Sequence, residues 1–102
     1  MPNYQDLLQQ TRARIREADA RESARLREQG ATLIDVREQD EVDQGIVPGA
    51  IHIPRGYLEM RIEEAVRDRD TPIIVYCAGG VRSAFAADAL HHLGYCNVVS
   101  MA

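Results

Sequence analysis

A chain of 102 residues holds one ordinary domain, so a two-lobed enzyme with separate cofactor and substrate domains is excluded. It carries 12 basic residues, every one an arginine, against 16 acids, for a net charge of −4; a Schiff-base or phosphate-loop lysine is excluded, and a broad basic surface for nucleic acid is disfavoured. No apolar run approaches the ~18 residues of a membrane span, and residues 1–20 lack the apolar stretch of a secretory signal, so no membrane association is expected and the expected compartment is the cytoplasm.

Taken in chain order, Tyr4, Leu7, Leu8 and Thr11 recur at helical spacing, which predicts a short amphipathic helix over 4–13. Residues 15–18 either extend that helix or form a short strand. Asp19 with Glu22 has the form of a capping box, opening a helix that runs to about Gln29 and stops at Gly30. Residues 31–36 are a mostly apolar run of strand length. Residues 38–44 are acidic and predict a short exposed helix ending at Gly45. Pro48–Gly49 marks a turn, and residues 50–53 a short strand stopped by Pro54. Leu58, Ile62 and Val66 repeat at i, i+4, i+8, as an amphipathic helix requires. Residues 67–70 form a charged loop. Ile73–Tyr76 is the strongest buried strand. A loop over 77–82 leads into a helix over 83–93, closed by Gly94, and residues 97–101 form a last strand. Apolar strands alternating with helices predict an α/β fold with a small, mostly parallel sheet and helices on both faces.

Ligands of open α/β sheets bind at the carboxyl ends of strands. Cys77 stands at such an end. Ala78, Gly79, Gly80 and Val81 follow, and the two glycines let the backbone turn tightly and aim several N–H groups inward. The next helix begins at Ser83, and its first turn adds partial positive charge. Arg82 adds a full charge. These are the parts of an anion cradle with a sulfur at its floor, and such surroundings lower a thiol pKa from about 8.5.

Cys77-Ala-Gly-Gly-Val-Arg82-Ser83 resembles the active-site loop of rhodanese (thiosulfate sulfurtransferase) domains. Leu33-Ile-Asp-Val-Arg37-Glu38 resembles the segment at the end of the second strand of that family, and Pro48-Gly-Ala-Ile-His-Ile-Pro54 its Pro-Gly-Ala turn and following strand. The likeness covers residues 15–102, so the chain reads as one rhodanese-like domain with residues 1–14 as an N-terminal helical extension. Residues 48–64 further resemble rhodanese domains fused to ubiquitin-activating-type adenylyltransferases, which deliver sulfur for molybdopterin or thiamine synthesis. The resemblance implies that Cys77 takes sulfur from thiosulfate or another sulfane-sulfur donor as a persulfide, and passes it to a thiol, cyanide or a protein acceptor. Residues 78–83 would cradle the terminal sulfur. Related phosphatases carry five residues between Cys and Arg, whereas this chain has four, which suits one sulfur better than a phosphate. An alternative is a catalytically weak module, or a sulfur relay docked to a partner enzyme. Two departures stand out. Ile46 occupies a position where many members have His, and family members continue past the last strand with a Gly-Gly turn and a further helix. The C-terminal helix is thus expected to be missing, and a partner domain to cover that side.

The remaining candidates divide. Asp35 and Arg37 lie at a strand end and serve either each other or a substrate; Arg55, at another strand end, faces either the mouth or solvent. Arg82 either pairs with a carboxylate or meets the donor. Cys96 has no basic or glycine-rich context and reads as inert. His91 and His92 share a polar stripe with Asp88, read as a solvated face, and His52 reads as structural. Two cysteines without clustered His or carboxylate ligands make a poor zinc site, so no metal and no cofactor is expected.

Overall fold

Ile73–Tyr76 is buried at every position, and in the computed structural model, which describes residues 1–102, the sheet is built outward from it. The elements in chain order are α1 (Tyr4–Arg14), β1 (Arg16–Ala18), α2 (Ala20–Glu28), β2 (Thr32–Asp35), α3 (Gln39–Asp43), β3 (Ile51–His52), α4 (Leu58–Ala65), β4 (Ile73–Tyr76), α5 (Val81–His92) and β5 (Val98–Met101). A 3-10 turn over Arg55–Tyr57 leads into α4. All pairings are parallel, and the strand order is β1-β5-β4-β2-β3. Non-neighbouring strands in sequence thus lie side by side, as helical crossovers require.

The ambiguity at 15–18 is resolved as a strand: Arg16, Glu17 and Ala18 pair with Val99, Ser100 and Met101. Only Ala18 of the three is buried, so the segment has no periodicity of its own and is held by its neighbour.

Side chains alternate across each strand. Ile34, Ile73 and Val75 point to one face and form a core with Leu58 and Ile62 of α4 and Ala86, Ala87 and Leu90 of α5. Leu33, Ile74, Tyr76 and Val99 point to the other, where α2 contributes Leu26. Helices therefore cover both faces, but unequally. Beside α2 lies a shallow groove of about 150 Å³ lined by Ala20, Ala24, Leu33, Val47, Ile74 and Met101 among others.

Helix α1 lies against α5. Asn3 and Asp6 form its capping box, Leu8 and Thr11 are buried, and Arg14 Nη2 stands 2.9 Å from Asp88 Oδ2. Asp88 is therefore not part of a solvated stripe, as its spacing with His91 and His92 suggested; only the two histidines are exposed. Helix α5 starts two residues earlier than the sequence pattern implied. Gly80 takes φ 81° and ψ −1° as its N-cap, a backbone state open to glycine and costly for other residues, and this places Arg82 and Ser83 in the first helical turn.

Candidate functional site

The carboxyl ends of β2 and β4 face the amino end of α5. Cys77 follows β4, and its Sγ receives the N–H of Gly80 at 3.2 Å and the N–H of Ser83 at 3.3 Å. Ser83 Oγ lies 3.5 Å from the same sulfur. Cys77 is only 8% exposed, yet Ala78 and Gly79 beside it are open to solvent. Burial pushes the thiol up. The Ser83 hydroxyl and the amides of Ser83, Gly79 and Gly80 oppose that, and the net shift is downward. Donors aimed at a sulfur, at the positive end of a twelve-residue helix, favour the thiolate.

Arg82 does not turn its guanidinium freely to the mouth. Its Nη1 and Nη2 donate to Glu41 Oε2 at 2.6 Å and Glu41 Oε1 at 2.9 Å. Glu41 also accepts the N–H of Glu38 at 2.8 Å. The Arg82 bonds, with that amide, hold the Glu41 carboxyl at about 2. The charge pair straps α3 to the first turn of α5. Acidic residues crowd 38–43, and nothing in the sequence marks Glu41 as the one that meets Arg82.

Asp35 is fully buried and serves its own neighbours. Arg37 donates to it through the backbone N–H at 2.9 Å, through Nε at 3.0 Å and through Nη2 at 2.8 Å. Tyr76 Oη donates to Oδ2 at 2.8 Å. Burial raises the Asp35 carboxyl, and these donors more than offset it, leaving it low. Arg37 Nη2 also reaches the Gly45 carbonyl at 2.8 Å, and His52 Nε2 lies 2.8 Å from the Arg37 carbonyl. The cluster ties β2 to the loop that carries α3. Arg55 pairs with Glu59 at 2.8 Å, one turn on in α4. Cys96 is exposed, and Asp70 at 3.1 Å from its sulfur is the leading cause of a thiol pushed up.

A buried cysteine sulfur that accepts two backbone N–H groups at a helix start, on an all-parallel α/β sheet, is an arrangement that favours a thiolate. The chain belongs to the rhodanese-like domain family, whose match spans residues 19–102. It is 37% identical over 76 residues to thiosulfate sulfurtransferase GlpE of Pseudomonas syringae, covering 74% of this chain and 70% of that protein. It is 35% identical over 69 residues to a sulfurtransferase of Allochromatium vinosum, covering 68% of this chain and 63% of that protein. The match thus spans less than two thirds of the latter's length. A solved protein of unknown function from Rhodopseudomonas palustris, described as a possible tyrosine phosphatase, superposes with TM-score 0.86 at 26% identity over 99% of this chain and 88% of that one. The family match begins at residue 19, so α1 and β1 lie outside it even though β1 is part of the sheet.

Proposed function

We propose that the chain is a sulfurtransferase in which Cys77 carries a sulfane sulfur. The Cys77 thiolate attacks the outer sulfur of thiosulfate or a similar donor. A new S–S bond forms, the donor S–S bond breaks, and sulfite leaves with the bonding electron pair. An acceptor thiolate or cyanide then attacks the outer sulfur of the Cys77 persulfide, and the Cys77 thiolate is released. In both steps charge sits on sulfur, where the N–H groups of Gly80 and Ser83 point, with Ala78, Gly79 and Val81 completing the loop. This is stabilisation of developing charge by preorganised donors. The observation that carries the reading is the pair of backbone N–H groups, 3.2 and 3.3 Å from a sulfur at the start of α5.

Phosphate-monoester chemistry is the rival, since one structural neighbour is described that way. It needs a planar guanidinium fork on the phosphoryl oxygens. The Nη1–Nη2 edge of Arg82 is already paired with the Glu41 carboxylate, so that fork is turned to α3 rather than to the sulfur. Arg82, like Asp35 and Arg37, is therefore read as a residue that holds the loops rather than the donor. Arg55 is read as a surface residue of the 3-10 turn that leads into α4. The whole chain is read as one domain, with α1 an extension packed on α5. Its two free cysteines fit the reducing cytoplasm, and no helix is long and apolar enough to cross a membrane. The acceptor is a small thiol or a protein; the adenylyltransferase-linked acceptors suggested by residues 48–64 are one such class.

Incubation with thiosulfate followed by peptide mass spectrometry tests the proposal. One sulfur, ~32 Da, is expected on Cys77 and none on Cys96. Cys77→Ser should keep the fold and lose the transfer. Sulfur found on Cys96 instead, or aryl-phosphate hydrolysis by Cys77 at a rate rivalling sulfur transfer, would overturn it.

A further inference from the structure

Behind Ser83 stands a second buried hydroxyl. Ser100, on β5, is fully buried, as is Ser83. Its Oγ donates to Ser83 Oγ at 2.8 Å. Ser83 Oγ has two partners, Ser100 and the sulfur of Cys77 at 3.5 Å. Each hydroxyl owns one proton. With the Ser100 proton committed to Ser83, the Ser83 proton has one acceptor to turn to, the sulfur. Two contacts join the three groups, so the two hydroxyl protons fill both when the sulfur is an anion, whereas a thiol brings a third proton with no partner among them. If the sulfur holds a proton and donates it to Ser83, then Ser83 accepts twice and its own proton is stranded in a buried site, at the cost of an unmade hydrogen bond.

We propose that Ser100 is a positioning residue for the reactive cysteine, acting through Ser83 to keep a hydroxyl proton turned toward Cys77 Sγ. The proposal rests on reading Cys77 as the nucleophile. Ser100 touches neither the sulfur nor the donor. It reaches the site because Ser100 pairs in register with Val75, two residues before Cys77. Both steps of the proposed cycle benefit. The anion is the attacking species in the first and the leaving group in the second, and a better-stabilised thiolate leaves faster. The charged groups that act on the sulfur are Arg82 on α5 and, through its ion pair, Glu41 on α3. Neither bonds to the Ser100 side chain, so the hydroxyl chain is separable from them.

The test is the pH–rate profile for alkylation of Cys77 by iodoacetamide, in a Cys96→Ser background so that one thiol is read. It needs no sulfur transfer. Polarisation along a chain strengthens a charge-assisted hydrogen bond by a modest fraction, so the midpoint in Ser100→Ala should move up by roughly 0.3–0.6 unit. Ser83→Ala, which removes the donor itself, should move it further. Ser83→Ala/Ser100→Ala should match Ser83→Ala alone, since Ser100 acts only through Ser83. Ser100→Thr, which keeps the hydroxyl, should restore the midpoint. Thermal melts confirm that each variant is folded. An unmoved midpoint in Ser100→Ala overturns the proposal, and so does an equal further shift in the double variant. Thiosulfate loading is measured separately on the parent chain: loss of loading there defeats the sulfurtransferase reading and leaves the alkylation cycle to judge Ser100.

Discussion

Asp35→Asn separates a carboxylate that holds the fold from one that serves a substrate. The substitution is nearly isosteric, but it removes a buried charge that accepts from Arg37 at 2.8–3.0 Å and from Tyr76 at 2.8 Å. It leaves the Arg37 guanidinium, whose side chain is 18% exposed, without its ion-pair partner. Breaking a buried pair from one side costs about 3–5 kcal/mol. A domain of this length has about 5–15 kcal/mol in all, so the loss is a large share. At about 4 °C per kcal/mol it lowers Tm by roughly 12–20 °C. Tyr76→Phe is the internal comparison. It removes one of several donors and should cost only about 1 kcal/mol. Urea unfolding followed by far-UV circular dichroism measures both. The pH dependence has a definite sign. The folded Asp35 carboxyl is depressed, so its contribution is complete above the ordinary carboxylate range and fades as pH falls through the depressed folded value. The gap between the parent and Asp35→Asn should therefore narrow on acidification. A cost below about 1 kcal/mol at neutral pH, with an unchanged m value, would refute the placing of Asp35 in the framework.

Three further outcomes follow from the site. Glu41 is held at about 2 by Arg82, so the strap between α3 and α5 should persist below the usual carboxylate range and loosen only as pH falls toward about 2; in Glu41→Gln that part of the acid-unfolding profile should be absent. Arg82→Met should lower Tm together with activity, and activity should recover on cooling; lost activity at unchanged Tm would move Arg82 from framework to donor binding. Gly80→Ala forces an alanine to φ 81°, at about 1–2 kcal/mol. Its added Cβ meets Ala102 Cα at an ordinary 3.6 Å, so the damage should lie in loop geometry. Slower alkylation of Cys77 together with a Tm loss of roughly 4–8 °C is the expected signature.

The cysteine loop was legible in the sequence because its chemistry is local: strand, Cys77, two glycines and a helix start are contiguous, and each constrains the next. The sheet was legible for a similar reason, since the apolar runs of β2 and β4 have no other stable use. What sequence did not show is what arrives from elsewhere. Glu41 meets Arg82 across 41 positions and Ser100 meets Ser83 across 17. Neither carries a local signal that distinguishes it from other acids and serines. The strand at 16–18 was ambiguous because it buries one side chain and is held by β5. The early start of α5 turned on the backbone state of one glycine.

The order of the strands bears on when the cysteine becomes reactive. β5 follows every other strand in sequence but is inserted between β1 and β4. Until it docks, Ser83 lacks Ser100, and β1, formed some eighty residues earlier, lacks its only neighbour. Contacts of such wide sequence separation form late and slowly. Under the proposed role of Ser100, a chain still emerging during synthesis, or one locally opened at β5, lacks the second hydroxyl behind the sulfur. Full priming of Cys77 is then a property of the finished sheet.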